Sequence, residues 1–169
     1  MTILNPANRT CPTEYRRRIE LTCLLAFFLM SACAPIPTKD NPPAYTRSYV
    51  QDAIRLYNRE GRQALTDHYN SPKSLDGQWY LFAVDEHNVM FVHYDPELVG
   101  MDFLTITDPT GYKSGEAISK TTEQGQWFTY SAPNYETGQQ TRKHAWAIRH
   151  DGLIFGSGWY ETGSAKSAD

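Results

Sequence analysis

The chain has 169 residues, with 16 lysines and arginines against 19 aspartates and glutamates, a formal net charge of −3 and 40% hydrophobic residues. That length suits one domain around one core, and the acidic balance argues against a binder of nucleic-acid backbone, which needs a basic face. No motif recurs at a period of roughly 20–50 residues, which excludes a solenoid or propeller.

Arg16, Arg17 and Arg18 precede Leu21–Ala32, a run of twelve uncharged residues. A bilayer-spanning helix needs ~20 apolar residues, whereas the apolar region of a signal peptide needs ~7–15. Residues 1–32 are therefore expected to be an export signal. Met30-Ser-Ala-Cys33 resembles the lipobox of bacterial lipoproteins, which implies that Cys33 is lipidated and becomes the new N-terminus. Cys11 and Cys23 would leave with the signal, so neither a disulfide nor a cysteine-bound zinc is expected. One acyl chain holds a protein only marginally, but the multiply acylated cysteine that this resemblance implies would anchor it firmly in the membrane. Residues 1–32 carry four of the basic and two of the acidic residues, leaving 12 against 17 and a net charge of −5. A small anionic ligand stays open, because local charges govern a pocket. Ala34–Pro43 holds four prolines in ten residues, and residues 33–45 are expected to form an extended tether.

Thr46–Tyr69 carries a helical rhythm. Val50, Ala53, Ile54, Tyr57, Gly61, Ala64, Leu65 and His68 recur every three or four positions as one stripe, while Arg55, Arg59, Glu60, Arg62 and Gln63 face away. The pattern predicts a long amphipathic helix, bent at Gly61 and broken at Asn70-Ser-Pro-Lys-Ser74. Trp79–Val84 and Val89–Tyr94 are aromatic and β-branched runs joined by Asp85-Glu-His-Asn88, and they read as a hairpin. Pro96 takes the chain out of the sheet, Asp108-Pro-Thr-Gly111 marks a loop, and a short helix is expected from about Ser114 to Gln124. Gln126–Ser131, Thr141–Ile148 and Leu153–Tyr160 add three strands, with turn chemistry at Pro133-Asn134, Glu136-Thr-Gly138 and His150-Asp-Gly152. Helices segregated around one antiparallel sheet make an α+β domain over residues 46–160. Residues 161–169 are expected to be a flexible tail.

Gly156-Ser-Gly158 invites catalytic readings that its neighbours exclude. A nucleophile elbow needs glycine two positions either side of its serine, where Ser157 has Phe155 and Trp159. A phosphate-binding P-loop needs a lysine after its glycines, and the next lysine is Lys166. In a strand, two glycines two apart leave one face bare, open to close approach. Packing of the Val50/Ile54/Tyr57 helix on that face is the first expectation, and a pocket above it is the alternative.

The combination of "REGRQAL", "GQWYLFAVDEHNVMFVHYDPELVGMDF", "QWFTYSAPNYETGQQTRKHAWAI" and "GLIFGSGWY" resembles a single Cache domain of the sCache_2 kind, an extracytoplasmic sensor module of bacterial receptors. The resemblance implies a PAS-like antiparallel sheet of five strands, a long N-terminal helix behind it, and a pocket for small molecules, often short organic acids. Tyr80 stands where the family often has an aromatic on the first strand. His93-Tyr-Asp-Pro96 resembles its His-Pro followed by Asn-Pro, Leu98-Val-Gly100 its Leu-Val-Gly, and Trp127 with Tyr130 its Trp-x-x-Tyr. Lys143 with Trp146 resembles its Lys-x-x-Tyr, with Trp in place of Tyr, and Gly156–Tyr160 its closing Gly-Ser-Gly-x-Tyr.

The candidate ligand-binding residues are Lys143, Tyr80, Trp127, Tyr130, His93 and Trp146. An ammonium in a sheet-centred cavity pairs with a carboxylate; the other reading of Lys143 is a solvated edge lysine. Tyr80, Tyr130 and Trp127 supply apolar walls with polar tips, or plain sheet packing. His93 donates to an anion, or satisfies a backbone group beside the Asp-Pro turn. The five histidines show no paired ligand spacing, so no metal or cofactor is expected. The expected function is a non-enzymatic, periplasm-facing lipoprotein that binds a short organic acid or similar metabolite and acts with an envelope signalling partner, its anchor in the inner or outer membrane. The alternative is an interaction lipoprotein with a filled interior that uses Trp79, Trp127 or Trp159. A hydrolase using Ser157 or His93 lacks an assembled acid, base and nucleophile.

Overall fold

The computed structural model describes residues 36–161. The export signal, Cys33 and the tail beyond Glu161 lie outside the described residues, and none of the described helices is long and apolar enough to cross a membrane.

The first element, α1, spans Pro42–Tyr69. It opens four residues before the expected Thr46, because Pro42 and Pro43 occupy the first helical positions, where an amide proton has no helical acceptor anyway. Asn41 caps it by accepting from the Ala44 amide at 3.3 Å. The expected bend is present: Gly61 has φ 83° and ψ −178° and joins two helical stretches, a conformation that any side chain would strain.

Five strands follow: β1 (Phe82–Val84), β2 (Met90–Val92), β3 (Gln126–Pro133), β4 (Gln140–His150) and β5 (Leu153–Tyr160). They form one antiparallel sheet in the order β2-β1-β5-β4-β3. The first hairpin is shorter than expected, with a register irregularity between Ala83 and Val84. Its turn is held by Asp85, whose carboxylate accepts from the His87 and Val89 amides at 3.0 and 2.9 Å.

The short helix α2 covers Ser114–Ile118 and stops before the expected Gln124. The backbone beyond it is claimed by β4. The Arg149 amide donates to Thr122 at 3.0 Å, the Arg149 guanidinium reaches the Ser119 and Thr121 carbonyls, and the Thr121 hydroxyl donates to the Ala147 carbonyl at 2.9 Å. These tertiary partners replace the bonds a longer helix would make.

Strand alternation divides the interior into two clusters. On one face α1 presents Val50, Ala53, Ile54 and Leu65 to Leu81, Trp146, Leu153 and Phe155. On the other, Phe82, Val84, Ala147 and Ile154 meet Phe103 and Ile118 from the connection between β2 and β3. The glycines of β5 share the second face, so the expectation that α1 packs on them is corrected. Alternation turns Phe155 toward the helix, with the Tyr57 ring centre 5.6 Å away, and leaves Gly156 and Gly158 on the side without a long helix.

Candidate functional site

That second face bears a cavity of about 180 Å³ between the sheet and the connection that follows β2. Its apolar walls include Phe82, Met90, Phe103 and Ile118, and its polar lining includes Tyr80, His93, Tyr94, Asp95, Ser114 and Tyr130. The bare glycine positions are closely approached: a Cβ on Gly156 would lie 2.1 Å from the Phe82 ring, and one on Gly158 would lie 2.4 Å from the His144 carbonyl oxygen of β4 and 3.0 Å from Cε of Lys143.

Lys143 is 1% exposed, one of the largest fully buried side chains among the described residues. It sits on β4 between Tyr130 of β3 and Tyr160 of β5. Its ammonium donates to the Tyr80 hydroxyl and lies 3.8 Å from the centre of the Tyr80 ring and 5.3 Å from that of Tyr160. No carboxylate forms an ion pair with it among the described residues, and burial pushes its pKa down to about 7. Lys143 is thus not a solvated edge residue. It stands behind the Tyr80 and Tyr130 lining, bonded to the Tyr80 hydroxyl.

His93 has one ring nitrogen bonded and one free. Its Nδ1 accepts from the Asp95 amide at 3.0 Å, which puts the proton of the neutral ring on Nε2, and Nε2 has no protein partner among the described residues. Burial, with the charge of Lys143 adding to it, pushes the imidazole pKa down to about 4, so the ring stays neutral near pH 7. Asn70, just past α1, fixes the local backbone by accepting from the His93 amide and donating to the Phe91 carbonyl, both at 3.0 Å. The phenols stay protonated: burial raises the pKa of Tyr80 well above the ordinary value and raises that of Tyr130 as well.

Lys143, Tyr80, Tyr130 and His93 are therefore brought together, and Trp127 and Trp146 are not. Trp127 pairs with Trp146 across β3 and β4, three positions from Tyr130 and Lys143, and alternation sends both indoles to the α1 face. Trp146 packs in the helix-side core, and the Arg47 guanidinium lies 5.5 and 5.7 Å from the two indoles. Trp79 is buried, 3% exposed, which removes it from the surface aromatics. Ser157 is buried on the helix face and His93 lines the opposite side, so the two form no catalytic pair.

Asp95, Tyr94 and Asn70 contribute to the site without having been singled out. Tyr94 ends the run expected to be the second strand, Asp95 sits in the His93-Tyr-Asp-Pro96 motif, and Asn70 opens the expected helix breaker. Tyr135, on the β3–β4 turn, packs 5.3 Å from Tyr94 and 6.2 Å from Tyr80. Among the described residues no group of three or more His, Cys, Asp or Glu is placed to hold a metal ion.

The family model for single Cache domain 2 matches residues 50–160. The chain belongs to the single Cache domain 2 family. Solved structures share this Cache fold at low sequence identity. A methyl-accepting chemotaxis protein from Vibrio parahaemolyticus RIMD 2210633 aligns with TM-score 0.58 and 20% identity over 86% of this chain and 95% of that one. A Cache chemosensory domain solved for its carboxylic acid recognition aligns at 0.51 and 20%, over 91% of this chain and all of that one. The periplasmic sensor domain of a chemotaxis protein aligns at 0.51 and 17%, over 90% of this chain and all of that one. No curated protein matches the sequence.

Proposed function

We propose that this Cache domain is a non-catalytic sensor that binds a short organic acid in the cavity beside Lys143, and that Cys33 carries the lipid that holds it at the membrane facing the periplasm. The observation that carries the reading is a fully buried lysine with no carboxylate in ion-pair contact, next to a chamber with apolar walls and a few polar groups. A buried charge is ordinarily paired, and an anionic ligand supplies the missing partner. The likeness to a domain that recognises carboxylic acids supports the same class.

The chamber constrains size and shape. A cavity of about 180 Å³ has room for a short acid with an apolar tail. The carboxylate meets the Tyr80 hydroxyl, itself held by the Lys143 ammonium, together with the free Nε2–H of His93. The tail lies against Phe82, Met90 and Phe103. A signalling partner would recognise the occupied conformation, provided the two states differ in ligand affinity.

Thermal shift and calorimetry with acetate, propionate, butyrate, their amides and matching amines test this reading. Acids are expected to raise the melting temperature and amines are not, since a ligand selective for the native fold stabilises it by mass action. Lys143→Met is expected to weaken acid binding at least ~10-fold through loss of the charge-assisted bond. Retained affinity in that variant would remove Lys143 from the site.

An interaction surface is the second reading. Trp127 is 36% exposed and its ring lies 5.2 Å from Trp159, which in turn stacks on His144 at 5.0 Å. Capture of an envelope protein that depends on Trp127, with no shift from any small molecule, would favour this reading.

A further inference from the structure

The hydrogen bond between Lys143 and Tyr80 can run in either direction, and its direction decides what the cavity offers. An ammonium has only donors, so it must donate to the phenol oxygen, and the phenol proton then goes to the neighbouring Tyr160 oxygen or turns into the cavity when an acceptor is there. A neutral amine has a lone pair and can accept the phenol proton, which leaves the oxygen facing the cavity as an acceptor. The first state suits an anion and the second repels one.

We propose that an anion binds here together with one proton from solvent, which settles on Nζ of Lys143 and turns the Tyr80 hydroxyl toward the cavity as a donor, so that the site reports anion concentration and pH jointly. The inference rests on the anion-binding reading above and adds its regulation.

The neighbours of Lys143 single it out as the group that changes state. β3 contributes Tyr130, β5 contributes Tyr160, the segment before β1 contributes Tyr80, and the segment after β2 contributes His93, Tyr94 and Asp95. The phenols are shifted upward, Tyr160 to about 12, and so keep their protons; the imidazole is shifted down and stays neutral. Asp95 is the one carboxylate lining the cavity, and one of its oxygens is engaged by the Glu97 amide at 3.0 Å. Neither helix supplies a charge to this spot: α1 lies on the other face, and α2 lines the cavity with Ser114 and Ile118.

Lys143 alone therefore titrates near neutrality in the empty site, and burial is what holds its ammonium down. A bound carboxylate offsets that penalty and returns the group toward its ordinary range of ~10.4. Between the two values binding draws in a proton, and affinity falls as pH rises.

Calorimetry of the full chain with propionate, in phosphate and in Tris at pH 8, measures the proton directly through the difference in buffer ionisation heat. Uptake of nearly one proton is expected, with affinity weakening about 50-fold between pH 7 and 9 by linkage. Propionamide, which has no charge to offset the penalty, is expected to bind without proton uptake. Carbon-13 titration of the lysine Cε should show one resonance with a midpoint near 7 that moves upward when propionate is added. Tight propionate binding with no proton uptake and a flat pH profile would overturn the inference while leaving the anion site standing. No binding of any acid between pH 5 and 9 would overturn both.

Discussion

The side chain of Lys143 makes the stability of the empty domain depend on pH in a direction opposite to its effect on binding. In the unfolded chain the lysine keeps its proton up to ~10.4, whereas in the fold it releases it at about 7. Between those values the unfolded state holds the extra proton, so stability rises with pH through that window and is lowest below it. Chemical denaturation of the ligand-free protein at pH 6.5 and 9 should show this gain, and Lys143→Met should lose it, because a methionine of similar reach carries no proton. An equal pH gain in both proteins would assign the effect to another group. At this same scale much of the candidate site was legible. A lysine, two tyrosines and a histidine named from the sequence do meet around one cavity. Trp127 and Trp146 do not join them, although the period of a strand already separates positions three apart. Alternation shows that Lys143 and Trp146 face opposite ways, but not which of them faces the helix.

At the scale of elements, the last strand is shaped by what lies on its glycines. The Phe82 ring occupies the space where a Gly156 side chain would stand, with ring carbons 2.1 to 2.7 Å from that position. Gly156→Ala must push the ring into the cavity it lines or part β1 from β5. Overpacking of this kind costs about 1–3 kcal/mol, and the displaced ring shortens the chamber. The expected result is a lower melting temperature together with weaker binding of butyrate than of acetate, read by denaturation and calorimetry on the same sample. Loss of stability with the acid preference unchanged would show that the strands part instead. Helix and strand types were readable from periodicity, and so was the bend at Gly61. The ends were not, for physical reasons. Pro42 and Pro43 suit a tether and a first helical turn equally well, and the residues after Ile118 are drawn to Arg149 and Ala147 by contacts about thirty positions away.

Across the whole molecule, Trp79 and Tyr80 are adjacent residues whose side chains serve two different places. The Trp79 indole donates to the Thr46 hydroxyl at 2.8 Å and packs edge-on against Tyr45 at 4.8 Å, in the first turns of α1. Tyr45 and Lys39 both bond Asp76, whose backbone pairs with that of Trp79, so the entry to the domain is gathered around this one indole. The exposed Lys39–Asp76 pair adds little by itself, since exposed ion pairs contribute about 0–1 kcal/mol; the buried indole is the rigid part. Tyr80, one residue on, holds Lys143. A ligand that also displaces the Tyr80 ring would act on the backbone that carries Trp79, and through it on the start of α1. Hydrogen exchange with saturating propionate should show added protection over residues 42–50 as well as around the cavity. Trp79→Phe keeps an aromatic ring against Tyr45, at the cost of some buried volume, and removes the bond to Thr46; Trp79 does not line the cavity. That variant is expected to bind propionate with nearly unchanged affinity while the added protection over residues 42–50 shrinks. Equal protection in both proteins would mean that the start of α1 responds to the ligand by a route that bypasses the indole.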